Sequence, residues 1–499
     1  MKINCDIGER GANHPVDREL MRHIDIANIA CGGHAGDDKS IAAFRALAKK
    51  HDVETSAHLS YPDRENFGRL SLELDEQALT AALDEQLTRM PGVRTVKFHG
   101  ALYNDSVTNP KLAKRLVRWL KQNRIETLIA PANSEIARQA DGIHLLAEAF
   151  ADRRYQTHDA GRLKLVSRAR PDAIFQTLEE ALEQCRLFDK NRVKTLDGTE
   201  HPIQADTLCI HSDSDISLAL IQALPPFRFI RRGLSEFVMP PVFGQQSLGV
   251  SPGGPQDRFS FETGHILLNN RVRRSLEFIL PPVLEVTRAA NLVLTGARFK
   301  NSPPHAAVFS AKPGDKLRFG HAECGLRGYL AWGAPDKSLA GRIRPPLTEL
   351  ITWHTKLIRI LPGPELDWME QPDRLTSNPW KIGSKSNEMG LRLEAVGRAL
   401  NVRNGNMISV PVTDGTIQLT PGGPIVLMRR RQTVGGYPRV AQIIEADMNR
   451  LAQIRPGQVV RFEWTDLKTA RELLFKKKNS LLKLAELFPR TSATNPFYP

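Results

Sequence analysis

Titratable side chains follow short apolar runs in the first half of the chain, and their types suit proton transfer or metal binding. The segment at 27–37, ANIACGGHAGD, ends an apolar run at Cys31 and then places His34 and Asp37 among three glycines. Glycine permits the backbone angles that such a loop needs and lets a ligand approach the main chain. A histidine near a carboxylate suits general acid–base chemistry or metal binding, whereas the alternative interpretation is a tight turn with a surface histidine.

The same arrangement recurs along this half of the chain. Other apolar runs also end at a titratable residue, namely Asp6, His58, His99 and His211. Lys97 precedes His99 by two residues, so both side chains face the same side of a strand. Because a buried lysine is costly unless it meets an anion, we expect Lys97 to bind an anionic substrate or to pair with a local carboxylate such as Asp6 or Glu9.

The elements that must position these residues alternate between apolar runs and amphipathic, helix-like segments. Leu79, Leu83 and Leu87 fall on one face of such a segment, and Asn109 followed by Pro110 fits the start of another. Alternating strands and helices predict a parallel sheet, and seven apolar runs predict an irregular barrel. The seven runs lie at 2–6, 25–31, 53–58, 94–99, 126–131, 144–150 and 207–211.

The carboxyl ends of the strands in a parallel barrel open on one face, so residues far apart in the sequence converge there. We therefore expect His58, His99 and Lys97 to line one pocket with Asp6 and His34. A positive lysine beside histidines lowers their pKa values. We accordingly expect these histidines to be neutral near pH 7 and able to accept a proton.

The composition is that of a water-soluble globular protein with two or three domains. The chain has 499 residues, of which 41% are hydrophobic and 25% charged. Since no run of about eighteen apolar residues and no apolar leader occur, we expect no membrane span and a cytoplasmic location. Five cysteines without CxxC spacing argue against a disulfide framework or a structural zinc site. The net charge is +14, but the basic residues are scattered, which favours small anionic substrates over nucleic acid.

The sequence pattern changes at 224–236, LPPFRFIRRGLSE, where prolines, glycine and basic residues predict a domain boundary. Beyond it, apolar runs interrupted by Gly or Pro about every eight to twelve residues predict a mostly-β domain. The last segment contains a basic amphipathic helix followed by an irregular tail. We therefore predict domains at 1–235 and 236–465 and a terminal segment at 466–499.

Five motifs, in this order, resemble the LamB/YcsF family, which is the A-type component of the bacterial ATP-dependent 5-oxoprolinase: NCDIGE, ANIACGGHAGD, AHLSYPD, FGR and KFHGALYN. With EAFADRRY at 148–155 and CIHSD at 209–213, the resemblance covers nearly all of residues 1–215. It implies a multidomain chain whose first domain is an irregular (β/α) barrel of the glycoside hydrolase/deacetylase type. The chain departs from the usual family residue at four positions, none of them titratable: Gly33, Leu59, Phe98 and Ser212.

This resemblance implies ATP-dependent ring opening of 5-oxo-L-proline to L-glutamate, with a separate partner, the B-type subunit. His58 or His99 would be the general base for water, Lys97 would stabilise developing negative charge, and Asp6 would orient a histidine. Whether a metal is bound stays open, but Asp6, His34 and His58 could hold one. The catalytic candidates are Asp6, His34, His58, Lys97 and His99. The candidates for substrate binding are Glu9, Asn28, Asp37, Asp63, Arg69, Tyr103, Asn104, His211 and Asp213.

Two alternative functions stay open for this chain. One is hydrolysis of another lactam, or of a carbohydrate amide, without ATP. The other is a non-catalytic fusion protein that binds and regulates a partner. Turnover of 5-oxoproline with and without ATP would separate the first alternative from the ATP-dependent reaction.

The second half resembles the C-type component of the same 5-oxoprolinase, a family also labelled biotin-dependent carboxyltransferase or allophanate hydrolase subunit 2. Matching segments include SLGVSPGGPQDRFS at 247–260, GSKSNEMGLRLE at 383–394 and RQTVGGYPRVA at 431–441. They imply cyclophilin-like β-barrel lobes, so the chain resembles a fusion of the A-type and C-type components. The candidate site residues in this half are Ser386, Asn387, Gln432, Gly435, Gly436 and Tyr437.

Three departures from the family pattern fall on this second candidate site. The family has Arg where this chain has Glu388, and Asp and Thr where it has Arg430 and Val434. An exchange of Arg for Glu inverts the charge where a carboxylate or phosphate is expected to bind. Either Arg430 and Glu388 have exchanged roles, or this half of the chain is mainly structural.

Overall fold

The computed structural model describes residues 1–158, 162–168, 170–343, 356–397, 400 and 407–488. The chain forms two compact units, of which the first ends at Pro225 and the second begins at Pro226. This junction lies inside the 224–236 segment in which the sequence pattern changes.

A parallel barrel forms the centre of the first unit. The strands of this unit are β1 (Lys2–Ile7), β2 (Ile26–Ala30), β3 (Glu54–Leu59), β4 (Thr95–Phe98), β5 (Thr127–Ala130), β6 (His144–Phe150), β7 (Tyr155–His158), β8 (Arg162–Leu165), β9 (Arg192–Lys194), β10 (Glu200–Pro202) and β11 (Thr207–Cys209). Seven of them close in the order β1-β11-β6-β5-β4-β3-β2, and every neighbouring pair is parallel. These strands coincide with the seven apolar runs, so the predicted irregular barrel is confirmed. The pairs β7–β8 and β9–β10 are antiparallel.

Helices follow the barrel strands, as the amphipathic segments predict. The helices of the first unit are α1 (Pro15–Leu20), α2 (Asp38–His51), α3 (Glu76–Thr88), α4 (Gly100–Thr108), α5 (Pro110–Gln122), α6 (Glu135–Gln139), α7 (Leu178–Phe188) and α8 (Ser217–Ala223). The side chain of Asn109 caps α5, and Pro110 occupies its first turn, where a missing N–H costs nothing. On α3, Leu79 and Leu83 are buried, so the predicted apolar face packs inward.

The barrel interior contains polar and charged side chains, which are costly to bury without hydrogen-bond or ion-pair partners. Asn4, Asp6, Asn28, Lys97 and Glu148 are each at most 4% exposed. Since side chains alternate along a strand, Asn4 and Asp6 of β1 face the same side. The register sets Asp6 opposite Asn28 of the neighbouring strand. Closure of the barrel thus brings charged groups from several strands into one buried layer.

The second unit is mostly β, as predicted, and consists of two lobes. The first lobe contains β12 (Phe227–Arg231), β13 (Leu234–Val238), α9 (Arg258–Leu267), β14 (Ser275–Leu280), β15 (Val283–Val286), β16 (Ala290–Phe299), β17 (Val308–Ala311), β18 (Lys316–Leu317) and β19 (Ala322–Gly333). Its strands form a three-stranded sheet, β12-β15-β18, and a five-stranded sheet, β13-β14-β19-β16-β17. Its core is rich in phenylalanine, including Phe278, Phe299 and Phe319.

The second lobe is a closed β-barrel followed by a long helix. It contains β20 (Leu357–Pro362), α10 (Arg374–Ser377), β21 (Pro379–Ile382), β22 (Gly390–Ala395), β23 (Val410–Pro411), β24 (Thr416–Thr420), β25 (Gly423–Leu427), β26 (Val434–Gly435), β27 (Arg439–Ile443), α11 (Glu445–Leu451), β28 (Val459–Trp464) and α12 (Leu467–Leu487). Seven strands close in the order β20-β27-β24-β25-β22-β21-β28. Trp380 is completely buried in the core of this barrel.

The basic amphipathic helix predicted near the end of the chain is α12. Its Leu481 and Leu484 pack against Phe259 and Ile266 of α9, so the helix docks on its own unit. The tail from residue 489 onward lies outside the described residues. None of the helices in the described part of the chain is long and apolar enough to cross a membrane.

We expect limited proteolysis to cut first at 239–251 rather than at 224–238. The earlier stretch holds β12 and β13, which are paired with β15 and β14, whereas Phe243 and Leu248 in the later stretch are 62% and 79% exposed. Exposed irregular backbone is the preferred site of proteolytic cleavage. N-terminal sequencing of the fragments locates the cut, and a first cut inside β12 or β13 would contradict this assignment.

Candidate active site

Five side chains that the sequence places at strand ends lie together at the carboxyl-terminal end of the first barrel. Asp6, His58 and Lys97 are on β1, β3 and β4, while His34 follows β2 and His99 follows β4. His99 has an extended backbone, with φ −115° and ψ 151°, and its ring makes no capping hydrogen bond to α4. The ring is turned toward the other histidines instead.

Lys97 is the centre of the deeper layer of this site. Its Nζ lies 2.9 Å from Oδ1 of Asp6 and 2.8 Å from Oε1 of Glu148. It also donates hydrogen bonds to Oδ1 of Asn4 at 3.3 Å and to Sγ of Cys209 at 3.1 Å. Burial alone lowers the pKa of a lysine, but the charge of Asp6, together with that of Glu148, raises the pKa of Lys97 well above its ordinary value. Lys97 is therefore a charged, fully paired residue.

Three histidines form the layer above. His58 Nε2 lies 3.3 Å from Oδ2 of Asp6 and 3.0 Å from Nδ1 of His99. His34 Nε2 lies 3.1 Å from Oε1 of Glu9. The rings of His34 and His99 are stacked, with centroids 3.6 Å apart and planes 4° apart. The three imidazoles and two carboxylates thus form one contiguous cluster.

Gly68 makes the tight packing of this cluster possible. Its φ of +63° is in the left-handed region, and a Cβ there would lie 2.9 Å from Cβ of His34 and 3.3 Å from Cδ2 of His99. The preceding residue, Phe67, accepts a hydrogen bond through its carbonyl from Nε2 of His99 at 3.1 Å. The FGR motif therefore holds the histidine rings in place.

Burial decides the protonation of the upper layer. It lowers the pKa of His34 well below the ordinary value, and the charge of His58 lowers it further. Burial also lowers the pKa of His99 well below its ordinary value, and the charges of His34 and His58 lower it further. The lowered pKa values of His34 and His99 thus have a different cause from the expected one, because the charge of Lys97 is paired with Asp6 and Glu148. Burial raises the pKa of Asp6, but His58 and Lys97 outweigh it and hold that pKa well below the ordinary value.

Several of the substrate-binding candidates lie within the site, where they form hydrogen bonds or ion pairs with its charged side chains. Asn28 Nδ2 donates to Oδ1 of Asp6 at 2.9 Å, and Tyr103 donates its hydroxyl to Oε2 of Glu148 at 2.9 Å. His211 Nε2 lies 3.9 Å from Oδ2 of Asp6, and its Nδ1 lies 3.1 Å from Asp152. These residues orient the charged groups.

Other candidates lie at the rim or outside the site. Asp37 caps α2 in a reciprocal capping box with Ser40, and Asp63 accepts hydrogen bonds from Asn66 within its own loop. Asn104 is exposed on α4. These contacts give Asp37 and Asp63 local structural roles.

A polar pair marks the rim of the first barrel. Arg69 Nη2 lies 3.9 Å from Oδ2 of Asp213, and the Arg69 side chain is 48% exposed. Asp213 is held by Arg168, whose Nη1 lies 2.5 Å away. The guanidinium of Arg69 also lies 4.9 Å from the ring centroid of Phe67, and the Phe67 ring contacts those of His34 and His99.

Glu148, Asn4 and Asp152 belong to the site, although sequence reasoning did not select them. The signal for Glu148 is a carboxylate inside the apolar run HLLAEAF, at a position that is 2% exposed. A charged group in a buried strand requires a partner. The lysine on β4 supplies that partner, but the pairing depends on barrel closure.

The candidate site of the second unit contains an ion-pair cluster. Arg430 Nη1 lies 3.0 Å from Oε2 of Glu388, its Nη2 lies 3.7 Å from Oε1 of Glu277, and it also pairs with Glu236. Around it, Ser386 and Asn387 accept backbone hydrogen bonds within their own turn. The remaining candidates lie in or next to the short strand β26, which begins at the exposed Val434; they are Gln432, Gly435, Gly436 and Tyr437.

Two groups of side chains in the described residues have the chemistry and spacing of metal ligands, and both are in the first barrel. One consists of Glu9, His34, His58 and His99, whose ligand atoms all lie within 4.8 Å of one another. The other consists of Asp6, Cys209 and His211. The set expected from the sequence, Asp6, His34 and His58, is thus divided between the two groups.

Comparison with known protein families matches both units. Residues 1–227 match the LamB/YcsF family. Residues 248–335 and 333–464 match the carboxyltransferase domain, subdomains A and B.

Similar proteins cover the first unit. A Vibrio parahaemolyticus protein, named as the A-type component of 5-oxoprolinase, is 36% identical over 240 residues, which is 45% of this chain and 94% of that protein. A Vibrio cholerae protein of the same name is 36% identical over 237 residues, or 44% of this chain and 94% of its own length.

Solved structures are also similar to parts of this chain. The lactam utilization protein of Thermus thermophilus is 28% identical, with a TM-score of 0.40, over 44% of this chain and 94% of its own. The urea carboxylase of Kluyveromyces lactis is 18% identical, with a TM-score of 0.45, over 56% of this chain and 32% of its own.

Proposed function

The chain belongs to the LamB/YcsF family, and on that premise we propose that its first unit opens the ring of 5-oxo-L-proline to give L-glutamate. In this proposal the chain acts within an ATP-dependent assembly that includes a separate B-type subunit. The observation that carries the proposal is the cluster of Asp6, His34, His58 and His99 at the barrel mouth. It occurs in a chain that is 36% identical, over 240 residues, to an A-type component of 5-oxoprolinase.

Ring opening requires a nucleophile, a stabilised oxyanion and a proton for the leaving nitrogen. The oxygen of water adds to the ring carbonyl carbon, the C–N bond breaks, and the nitrogen takes up a proton to give the amino group of glutamate. A five-membered lactam is a poor electrophile, so transfer of a phosphoryl group from ATP to its oxygen, with release of ADP, would activate the ring carbon. Addition of water and cleavage of the C–N bond then leave an acyl phosphate, and a second water hydrolyses it to glutamate and inorganic phosphate. The barrel site then has to position water and to move protons.

The histidine cluster suits this proton transfer. Because burial lowers the pKa of His99, its neutral imidazole is available as a base near pH 7. The ionised Asp6 orients His58, which in turn contacts His99 at 3.0 Å. We assign Lys97 a positioning role through Asp6, since its side chain is 2% exposed and its ammonium is bonded to two carboxylates.

Arg69 is the residue we propose for the carboxylate of the substrate. A guanidinium binds a carboxylate through charge-assisted hydrogen bonds, and this one is half-exposed at the rim beside Phe67. Replacing Arg69 by alanine should raise KM for 5-oxoproline by about 10- to 150-fold, as expected for a lost hydrogen bond to a charged group worth about 1.5–3 kcal/mol. The effect on kcat should be much smaller.

Steady-state kinetics of the reconstituted assembly measure this effect. Arg118→Ala is the matched control, because Arg118 is 51% exposed and pairs on the surface with Glu76, which is 53% exposed. Equal changes in KM for the two variants would contradict the role of Arg69.

We expect the isolated chain to hydrolyse neither ATP nor 5-oxoproline at a useful rate. The sequence has no Walker motif, and the proposal assigns ATP-dependent activation to an assembly that includes the B-type subunit. Adding that subunit with ATP should produce L-glutamate and ADP together. Glutamate production without ATP would favour an ATP-independent lactam hydrolase, and steady ATPase activity of the highly purified chain alone would contradict the assignment.

For the candidate site of the second unit, we propose a mainly structural role. The charge of Arg430 is shared with Glu388, Glu277 and Glu236. An arginine already paired with several carboxylates has little capacity left for an anionic ligand. This supports the structural alternative over an exchange of roles between Arg430 and Glu388.

A further inference from the structure

Three atoms of the histidine cluster form a triangle at the mouth of the first barrel. His58 Nε2 and His99 Nδ1 are 3.0 Å apart. Glu9 Oε1 lies 3.4 Å from His99 Nδ1 and 3.8 Å from His58 Nε2. These three atoms come from the end of β3, the residue after β4 and the loop after β1.

Backbone carbonyls determine which nitrogens of these two rings carry protons. His58 Nδ1 lies 3.2 Å from the carbonyl oxygen of Lys97, and His99 Nε2 lies 3.1 Å from that of Phe67. A carbonyl oxygen only accepts hydrogen bonds, so both of these nitrogens donate. The other nitrogen of each ring, His58 Nε2 and His99 Nδ1, is therefore the one that can bind a metal ion.

These two nitrogens and the carboxylate oxygen of Glu9 thus lie around the same small volume. They are ligand types that a divalent metal ion takes, and all three belong to one group of candidate metal ligands. The geometry points to a divalent transition metal ion of the Zn²⁺ class bound by His58 Nε2, His99 Nδ1 and Glu9 Oε1. A role for this ion in lactam hydrolysis rests on the proposed function. The metal site itself rests only on these contacts.

The dimensions of the triangle fit such an ion. Zinc binds imidazole nitrogen at about 2.0–2.1 Å and carboxylate oxygen at about 2.0–2.2 Å, so neighbouring ligand atoms of a tetrahedral site are about 3.3–3.5 Å apart. The observed separations of 3.0, 3.4 and 3.8 Å bracket this value. The rings of His58 and His99 are perpendicular, at 90°, so their lone pairs can meet at one point.

His34 belongs to the site as a positioning residue rather than as a ligand. Its ring lies parallel to that of His99, with centroids 3.6 Å apart, so the in-plane lone pairs of these two rings cannot both point at one ion. Its Nε2 lies 3.1 Å from Oε1 of Glu9 and is placed to donate to that carboxylate. Such a hydrogen bond orients a ligating carboxylate.

Asp6 is likewise assigned outside the ligand set. Its Oδ1 accepts from Lys97 and Asn28, both at 2.9 Å. The lone pairs of that oxygen are thereby occupied, and Asp6 is not a member of the group of closely spaced ligand atoms formed by Glu9, His34, His58 and His99. The proposed set of two histidines and one glutamate therefore differs from the Asp6, His34 and His58 set that the sequence indicated.

Three protein ligands leave a fourth coordination position for water or a substrate oxygen. A zinc ion in such a site lowers the pKa of bound water to about 7. The site therefore has the composition of a catalytic metal centre rather than of a closed structural one. A bound ion would hold the lone pairs of His58 Nε2 and His99 Nδ1, and the activated water would take the place of His99 as the base in the proposed ring opening.

Metal binding is tested on the full chain without any turnover. After removal of metal with a chelator, the protein is titrated with Co²⁺, whose visible absorption intensifies on tetrahedral coordination. We expect one equivalent to bind and Zn²⁺ to displace it. Glu9→Gln and His99→Gln should each lose the absorption, while the exposed His144→Gln should retain it.

A fourth variant distinguishes the metal ligands from a residue that only orients one of them. His34→Gln should keep the absorption and bind about 10- to 100-fold more weakly, as expected for loss of an orienting partner. Circular dichroism of each variant identifies any loss that results from unfolding, and Glu9→Gln, which is nearly isosteric, keeps the test valid if His99→Gln does not fold. Absence of tetrahedral Co²⁺ in the wild-type protein, or binding that survives both Glu9→Gln and His99→Gln, would overturn the proposal.

This test is independent of the proposed reaction. If Co²⁺ binds as described but the assembly does not turn over 5-oxoproline, the metal site stands and the proposed function fails. If the assembly is active while the chain binds no metal, the metal proposal fails and the function stands.

Discussion

Replacing His99 by alanine is expected to lower turnover of 5-oxoproline by about 10²- to 10⁴-fold, which is the usual contribution of a general base and corresponds to about 2.7–5.5 kcal/mol in the barrier. His99 contacts His58 at 3.0 Å and is 11% exposed at the barrel mouth. Because the ring lies at the rim, its removal leaves no large internal cavity. The free energy of unfolding should therefore change little.

Parallel measurements of kcat and of urea unfolding separate catalysis from folding. His144→Ala is the control, because this histidine is exposed at the start of β6, away from the carboxyl-terminal mouth. If His99→Ala lowers stability strongly and retains full activity per folded molecule, the histidine has a structural role and the catalytic assignment is wrong.

Replacing Lys97 by methionine is expected to destabilise the first unit by about 3–5 kcal/mol, the usual cost of removing one partner from a buried ion pair. The ammonium of Lys97 is the shared partner of Asp6 and Glu148, and all three residues are at most 4% exposed. Without it, the buried carboxylates of Asp6 and Glu148 lose the cation that they share. Urea titration followed by circular dichroism measures the change.

Two further variants define what Lys97 contributes. Adding Glu148→Gln to Lys97→Met should restore part of the stability, because one buried negative charge is then removed. Lys2→Met breaks a surface pair with Glu54 whose partners are 45% and 60% exposed, and it should cost at most about 1 kcal/mol. A Lys97→Met variant no less stable than Lys2→Met would show that the buried network is not needed for folding.

The barrel and the convergence of its strand ends could be predicted from the sequence because both follow from local patterns. Alternating apolar runs and amphipathic segments fix a parallel barrel, and that topology places Asp6, His58 and His99 at one end. The capping role of Asp37 also has a local signal, since Ser40 follows three residues later. The proximity of Asp37 to His34, three residues earlier, favours the substrate-binding interpretation instead.

The partners of Lys97 could not be predicted in the same way. The β4 strand that carries Lys97 is not adjacent to β1 or β6, which carry Asp6 and Glu148. Their contact depends on the closure and diameter of the barrel rather than on spacing along the chain. The same limitation explains why Lys97 was expected to lower the pKa of the histidines, whereas the structure shows its charge neutralised inside the barrel.

The position of bound 5-oxo-L-proline tests the central claim most directly. A crystal structure of the wild-type chain soaked with 5-oxo-L-proline, without ATP, would show where the ring binds. We predict electron density at the mouth of the first barrel, with the ring carbonyl close to His58 and His99 and the carboxylate on Arg69. Density for the ligand only in the second unit, with the first barrel mouth empty at saturating ligand, would contradict the account.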